Sequence, residues 1–263
     1  CCMNYITGSN GMIGTRFKEL SMGIGYKIVS YRDDVPDNLF ETHEKSSLIH
    51  LGWSSTTRTK DVDQVEKDVV NSQKLFNYYL DKNPNGKIIF ISTAGNMHQT
   101  KHGTESTEKS IPKPVSLYGK AKLKVEKILE ELDCKTVVLR VSNVWGSKVD
   151  ENRVNGLVDK LRSAVDTDRV VEIYANLETK VDLIHIDDLI LLILKIIDID
   201  LDKQHDLFLI GGQSISLYDI INEVSKIGSL NLKLNQRGKE KSFVNIQPLK
   251  AEKTFDWTRG YYL

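Results

Sequence analysis

The sequence predicts an α/β fold, in which a doubly wound parallel sheet carries helices on both faces and a small C-terminal lobe follows. Short apolar runs alternate with stretches of helical periodicity along the first two thirds of the chain, which is the pattern of βαβ units. Such crossovers are right-handed, so the helices cover both faces of the sheet. The 263 residues accommodate one such domain and a lobe, because domains average ~150 residues.

The predicted elements follow one another in chain order. Strands are predicted at residues 3–7, 27–31, 48–51, 87–91 and 136–140, and helices at 12–20, 62–80 and 118–132. In the second helix, Val62, Val65 and Val69 begin an apolar series at helical spacing. After Gly146 the alternation loosens, with helices predicted at 154–165, 189–197 and 217–227 and strands at 170–174 and 207–210. We therefore predict a sheet domain over residues 1–146, to which later elements return, and a smaller lobe over 147–263.

Composition and charge exclude several classes of protein. Lys and Arg number 36 and so do Asp and Glu, so no net field favours nucleic acid or an anionic membrane as a partner. The most apolar stretch, 189–197, contains Lys195 and falls far short of the ~20 residues that span a bilayer. Three cysteines do not form a disulfide framework, and we expect Cys134 to be a buried thiol. Without a recognisable leader, a cytoplasmic protein is expected, and no metal-ligand spacing is present.

The segment 7–14, Thr-Gly-Ser-Asn-Gly-Met-Ile-Gly, follows a predicted strand and opens a helix. In this context Gly8 makes a tight turn, Gly11 lets a pyrophosphate approach the backbone, and Gly14 lets helix and strand pack closely. The helix N-terminus offers N–H groups and a positive dipole end to the anion. The segment therefore predicts a dinucleotide site of Rossmann type, although a plain tight turn would also explain the glycines. The predicted cofactor contacts here are Gly8, Asn10, Gly11, Met12, Ile13 and Gly14.

Tyr118 and Lys122 lie four residues apart on a predicted helix and therefore share one face. A free tyrosine has a pKa of about 10, which is too high for efficient proton transfer at neutral pH. An ammonium one turn away favours the phenolate, so we expect Lys122 to lower the pKa of Tyr118. The same spacing also occurs on many solvated helices without any chemistry.

Two hydroxyl residues, Ser92 and Thr93, stand at the carboxyl end of the predicted fourth strand. Ligands of open α/β sheets bind outside these strand ends, so a hydroxyl there can contact a substrate carbinol or carbonyl. The alternative is that the hydroxyls only cap the following loop.

Together these three segments resemble the pattern of the short-chain dehydrogenase/reductase superfamily. The Gly-x-x-Gly-x-x-Gly spacing resembles its extended branch, the NAD-dependent epimerase/dehydratase family, which acts on nucleotide sugars. Further similarity lies in the segments 50–53 (His-Leu-Gly-Trp), 139–146 (Leu-Arg-Val-Ser-Asn-Val-Trp-Gly) and 182–188 (Asp-Leu-Ile-His-Ile-Asp-Asp), and in Asn71. The resemblance runs from about residue 3 to about residue 225.

The resemblance implies a role for each matching residue. Tyr118 would be the general acid/base on a sugar hydroxyl, and Lys122 would lower its pKa and bind the nicotinamide ribose. Thr93, assisted by Ser92, would hydrogen-bond the reacting oxygen. Further contacts are expected from Asn143 to the nucleotide diphosphate, from Asn96 to the substrate, and from Leu51, Gly52, Trp53 and Tyr31 to the cofactor.

The end of the second strand determines which nicotinamide cofactor is expected. An acidic residue there accepts the ribose hydroxyls of NAD, whereas an arginine accommodates the 2′-phosphate of NADP. The alignment that we favour places Arg32 at this position, so NADP is predicted. A shift by one residue would place Asp33 there and make NAD the cofactor, and Arg32 would then be a solvated loop charge.

The implied reaction is hydride transfer at a ring carbon of a nucleotide-activated sugar. Arg32 favours NADPH-dependent reduction of a 4-keto sugar. The Ser-Thr-Ala-Gly and Pro-x-x-x-Tyr-Gly-Lys-x-Lys runs instead resemble UDP-glucose 4-epimerase-like enzymes, so a 4-epimerase is the first alternative. A dehydratase is not expected, because Ala94 and Gly95 follow Thr93 where that branch carries an acid pair.

Departures from the family pattern leave a second alternative, a non-catalytic protein that senses NADP(H). Ala94 stands where many members have the assisting hydroxyl, and His98 departs from the usual sequence after it. Val181 replaces an arginine that usually holds phosphate. The intact Tyr118 and Lys122 argue against this alternative.

The expected partner is a small-molecule nucleotide sugar. The resemblance also implies a homodimer that pairs the helices at 62–80 and 118–132, although each helix could equally be covered by its own chain.

Overall fold

The structure is a computed structural model that describes residues 2–21, 23–31, 34–100, 103–147, 156–235 and 242–263. Eleven strands and seven helices lie within these ranges. In chain order they are β1 (Cys2–Thr7), α1 (Met12–Leu20), β2 (Tyr26–Val29), β3 (Lys45–His50), α2 (Val62–Lys82), β4 (Lys87–Thr93), α3 (Leu117–Glu130), β5 (Lys135–Val141), β6 (Asn143–Trp145), α4 (Leu157–Ala164), β7 (Val170–Ile173), β8 (Lys180–His185), α5 (Ile186–Asp198), β9 (His205–Ile210), β10 (Gln213–Ser216), α6 (Leu217–Ser225), β11 (Asn231–Leu234) and α7 (Leu249–Phe255). None of the helices in these ranges is long and apolar enough to cross a bilayer.

Six strands form the central sheet in the order β2-β1-β3-β4-β5-β9, and every neighbouring pair is parallel. Strands that are buried on both faces read as continuous apolar runs, and β4 is buried at each of its seven positions. Consecutive side chains enter opposite layers. For example, Ile88 packs beneath α2 and α3, while Ile89 packs beneath α1, α5 and α7. The predicted α/β class with helices on both faces is therefore confirmed.

The connection between β2 and β3 determines where a ligand can enter the sheet. The described residues between these strands, 30, 31 and 34–44, form neither a helix nor a strand. Along this connection the chain crosses from one side of β1 to the other. The connections therefore leave β1 and β3 in opposite directions. Such a switch point opens a crevice at the carboxyl ends of the two strands.

A smaller lobe contains the sheet β10-β8-β6, the pair β11-β7, and helices α4 and α6. Its core is separate and includes Trp145, Leu161 and Ile220. Three later elements pack with the central sheet instead: β9 pairs with β5, and α5 and α7 cover one face. These later elements belong to the central sheet and its cover, while the domain division at residue 146 stays a prediction. The first residues of the helix predicted at 154–165 lie outside the described residues.

Candidate active site

Two glycines of the segment 7–14 occupy positions that no other residue fits. Gly8 has φ +68°, and a Cβ there would lie 2.6 Å from the backbone nitrogen of Gly52. A Cβ at Gly14 would lie 2.2 Å from the carbonyl oxygen of Gly8. The turn after β1 is therefore pressed against both α1 and the segment after β3.

Helix α1 begins at this turn with Gly11 as its N-cap. In the described part of the chain, no side chain caps it and its first turn carries no acidic residue. The first N–H groups of a helix have no partner within the helix, and they attract anions together with the dipole. The glycine turn thus leaves N–H groups at the start of α1 that can attract an anion, and the binding of a phosphate group there stays a prediction.

A cleft of about 950 Å³ opens beside the turn, at the carboxyl ends of β1, β2 and β3. Its volume falls within the ~300–1,000 Å³ that is usual for cofactor and ligand pockets. Six of the predicted cofactor residues line it: Gly8, Asn10, Gly11, Tyr31, Gly52 and Trp53. Met12, Ile13 and Leu51 pack against the core behind the cleft. Arg32, on which the choice between NADP and NAD depends, lies outside the described residues, as does Asp33.

A buried hydrogen-bonded chain holds the two walls of the cleft together. The Gly52 N–H donates to Thr7 Oγ1 (2.9 Å), and Thr7 Oγ1 lies 2.8 Å from His50 Nδ1. Ser72 Oγ donates to the carbonyl of Asp68, so it accepts from His50 Nε2 at 2.9 Å. Burial lowers the pKa of His50 to about 3, so the ring is neutral and only orients its neighbours.

Asp68, a buried carboxylate on α2 that lines the cleft, was not among the residues predicted from the sequence. Its Oδ1 accepts from the backbone N–H and hydroxyl of Ser54, and its Oδ2 accepts from the same two groups of Ser55, at 2.6–3.0 Å. A detectable signal existed, because Asp68 lies on the apolar face of α2, three residues after Val65 and one before Val69. An acidic residue on a buried helix face requires such partners.

Helix α3 places Tyr118 and Lys122 against the ring of Trp53, which lines the cleft, although neither residue is itself part of the cleft lining. Its N-cap, Ser116, accepts from the Gly119 N–H at 3.0 Å and donates to Asn96 Oδ1 at 2.5 Å. The Lys122 ammonium lies 5.6 Å from the centre of the Tyr118 ring. The predicted pair is therefore brought together, and the side chain of Asn96 positions the start of the helix that carries it.

The protonation of this pair differs from the expectation. Burial and, to a smaller extent, the Asp68 carboxylate raise the pKa of Tyr118 to about 12. Burial lowers the pKa of Lys122 to about 7, although Asp68 and Glu126 oppose this change. The prediction that the Tyr118 pKa is lowered is therefore wrong. Burial of the phenol and of the ammonium outweighs the effect of their proximity.

The two hydroxyls that end β4 differ in their contacts. Ser92 Oγ donates to the buried Glu126, which forms a bidentate ion pair with Arg140. Arg140 also donates to His98 Nε2 at 3.2 Å, so His98 is part of this buried network. Thr93 Oγ1 instead accepts weakly from the Asn96 N–H at 3.4 Å. Of these two hydroxyls, that of Thr93 donates to no acceptor in the described part of the chain, so its proton is available for a further acceptor.

The remaining predicted substrate residue is Asn143, at the start of β6. Its Nδ2 donates to the Asp182 carbonyl at 3.1 Å and would lie 3.6 Å from a Cβ at Gly95. Asn143 thus lies close to the loop that follows β4, and its side chain is exposed. Val181, which stands at the position of the missing arginine, packs against the lobe core. His185 anchors the start of α5 by accepting from the Asp187 N–H at 3.2 Å.

Comparison with known proteins identifies the family. The family model of the NAD dependent epimerase/dehydratase family matches residues 4–211, and this protein belongs to that family. Among curated proteins, dTDP-4-dehydro-6-deoxyglucose reductase of Escherichia coli is 27% identical over 202 residues, which cover 74% of this chain and 61% of that enzyme. This chain therefore matches less than two thirds of the length of this relative.

Solved structures share the fold. MoeE5, in complex with UDP-glucuronic acid and NAD, has a TM-score of 0.80 at 18% identity. The match covers 98% of this chain and 94% of the MoeE5 chain. The UDP-glucose 4-epimerase of Thermotoga maritima, with UDP-glucose, has a TM-score of 0.78 at 21% identity, with coverage of 99% and 94%. RMD from Pseudomonas aeruginosa, complexed with NADPH, has a TM-score of 0.79 at 16% identity, again with 99% and 94%. The Rossmann-type fold is thus confirmed.

Proposed function

We propose that this protein is a nicotinamide-dependent oxidoreductase that reduces a 4-keto nucleotide sugar, with NADPH as the hydride donor. The observation that carries the proposal is the arrangement of Tyr118 and Lys122 beside a cleft that begins at the glycine turn. The Escherichia coli relative is a reductase of a dTDP-4-dehydro sugar, which supports the same reaction class. The 2′-phosphate contact is assigned to Arg32 on its sequence position alone.

The residues of the cleft fit a dinucleotide. Gly8 and Gly11 line the cleft without side chains, which leaves room for a pyrophosphate at the turn. The N–H groups at the start of α1 and its dipole favour the same anion. We assign the ribose contact to Lys122, whose ammonium now donates to the carbonyl oxygen of Ile91 at 2.8 Å and would have to leave it to bind the ribose. Nicotinamide, when bound, supplies the hydride.

The chain itself supplies the proton and the orientation of the substrate. Because its pKa is about 12, Tyr118 holds its proton at neutral pH and can donate it from Oη to a sugar carbonyl oxygen as that oxygen gains charge. Lys122, one turn away, stabilises the resulting phenolate. We assign the second hydrogen bond to that oxygen to Thr93, since the Ser92 hydroxyl is committed to Glu126. Asn143 is assigned to the diphosphate of the substrate.

A protonated tyrosine favours reduction as the first chemical step. An epimerase must begin by removing a proton from a sugar hydroxyl, and this requires Tyr118 to be ionised. The 4-epimerase remains the second candidate, because the Ser-Thr-Ala-Gly run after β4 and the run around Tyr118 resemble those enzymes.

The deciding experiment incubates the protein with UDP-, dTDP- and GDP-sugars and with their 4-keto forms. Net loss of NADPH with a 4-keto sugar is the expected result. Exchange between 4-isomers without net redox change would instead establish the epimerase. Neither reaction, combined with tight binding of a dinucleotide, would overturn the proposal in favour of a sensor.

A titration with NADPH and NADH tests the choice of cofactor separately. We expect tighter binding of NADPH, and we expect Arg32→Ala to remove the difference. Tighter binding of NADH by the unaltered protein would assign the site to NAD and would favour the epimerase. Lys60→Ala, a change in an exposed loop lysine, is a control for a general loss of positive charge.

A further inference from the structure

The Lys122 ammonium is buried and has an unusual set of neighbours. Within the described residues it donates one hydrogen bond, to the carbonyl oxygen of Ile91. The Trp53 ring lies 3.9 Å from Nζ, measured to the ring centre, and the Phe90 ring lies 4.7 Å away. A buried charge must be compensated, and the negative face of an indole is the best aromatic group for this purpose.

Trp53 is itself held in place by hydrogen bonds. Its Nε1 donates to Ser55 Oγ at 2.8 Å, and Ser55 donates both its hydroxyl and its N–H to Asp68 at 2.6 and 2.9 Å. The same indole meets the Tyr118 ring edge-on, with centres 6.2 Å apart and planes at 88°. Trp53 thus contacts both members of the pair and is linked through Ser55 to a carboxylate of α2.

We propose that Trp53 is a positioning residue for the Tyr118–Lys122 pair, and that Asp68, acting through Ser55, holds the indole face against the Lys122 ammonium. The proposal deepens the proposed function, on which it rests for its purpose. The indole face favours the charged form of Lys122 in an environment that excludes water. The indole also keeps the Lys122 ammonium close to the Tyr118 phenol, whose ionised form the ammonium must stabilise. Loss of the indole is therefore expected to lower the pKa of Lys122.

Among the titratable groups that surround Lys122, Lys122 itself is the one whose pKa lies near neutrality. Asp68 on α2 and Glu126 on α3 favour its charged form, and Glu126 is paired with Arg140. His50 on β3 is neutral above about pH 3. Tyr118 keeps its proton up to about pH 12.

The test follows the Lys122 13Cε resonance by NMR in protein labelled with 13C-lysine, without cofactor or substrate. The resonance is assigned by its loss in Lys122→Met. We expect Trp53→Leu to lower the titration midpoint by about one pH unit, a tenfold change in the protonation equilibrium, because the cation–π contact is lost. Trp53→Phe, which keeps an aromatic face, should retain most of the wild-type midpoint.

Two matched serine variants test whether Asp68 acts on Trp53 through Ser55. Ser55→Ala removes the acceptor of the Trp53 indole and should lower the midpoint. Ser54→Ala removes a hydroxyl bound to the same carboxylate, at 2.7 Å, but leaves the indole anchored and should not change the midpoint. Equal shifts in the two variants, or an unchanged midpoint in Trp53→Leu, would overturn the proposal. If Trp53→Leu does not fold, Trp53→Phe and the two serine variants still decide.

A failure of the role of Trp53 can be distinguished from a failure of the proposed function. Binding of NADPH and NADH to the wild-type protein is measured alongside the NMR titration. Absence of binding and turnover, with the expected midpoint shifts, would refute the oxidoreductase while the positioning role of Trp53 stands. Normal binding and turnover with unshifted midpoints would refute only the role of Trp53.

Discussion

Replacing Lys122 by methionine should change how the stability of the protein depends on pH. Burial lowers the pKa of Lys122 from 10.5 to about 7, and the residue is 3% exposed. Between these two values the unfolded chain binds the proton and the folded chain does not. The free energy of unfolding therefore rises with pH through this window, by at most ~1.4 kcal/mol per pH unit from this one group. Below about pH 7 both states are protonated and this contribution is constant.

The difference between wild type and Lys122→Met isolates this group, because the other titrating groups are common to both proteins. Between about pH 6.5 and 9, urea unfolding should show the wild type gaining roughly 2.5 kcal/mol relative to the variant. Lys120→Met on the same helix is the control, since Lys120 is exposed, and its difference from wild type should not vary with pH. A pH-independent difference for Lys122→Met would refute the reasoning that burial dominates at this site.

Three further substitutions test the site and its support. Tyr118→Phe removes the proton donor and should reduce kcat by at least about 100-fold with unchanged dinucleotide affinity in a fluorescence titration; unchanged turnover would contradict its assignment. Gly8→Ala places a side chain at φ +68° against the backbone of Gly52 and should cost at least ~2 kcal/mol in urea unfolding, together with dinucleotide binding. Glu126→Gln leaves Arg140 buried without its counter-charge and should cost roughly 3–5 kcal/mol, and a loss below ~1 kcal/mol would show that the pair behaves as a solvated one.

The central sheet was predictable because its signals are local. Helix α1 begins and ends where the sequence indicates, at Met12–Leu20, since a glycine turn precedes it and its apolar face is regular. Helix α5 was predicted as 189–197 and observed as Ile186–Asp198, because the acidic first turn obscures its start. The short strands β6, β8, β10 and β11 were missed, since pairing with distant segments, rather than local pattern, makes them strands.

The predicted site divides in the same way. The spacing of Tyr118 and Lys122 was sufficient to place them together, because four residues make about one helical turn. The commitment of Ser92 to Glu126 could not be read from spacing, since it depends on how far apart β4 and α3 lie once packed. Asp68 acts through a loop that follows a different strand, and its partners are 13 and 14 residues away.

The sequence by itself determined the fold class, the glycine turn and the pairing of Tyr118 with Lys122, to which we assign proton transfer, because backbone conformation and helical spacing are properties of neighbouring residues. Only the tertiary structure decided the charges of that pair. Whether Tyr118 is protonated and Lys122 is close to titrating depends on burial and on the groups that surround them, namely Asp68, Trp53 and Glu126. Desolvation and charge–charge interactions are set by distances through space, and those distances exist only once α2, α3 and the loop after β3 have packed together.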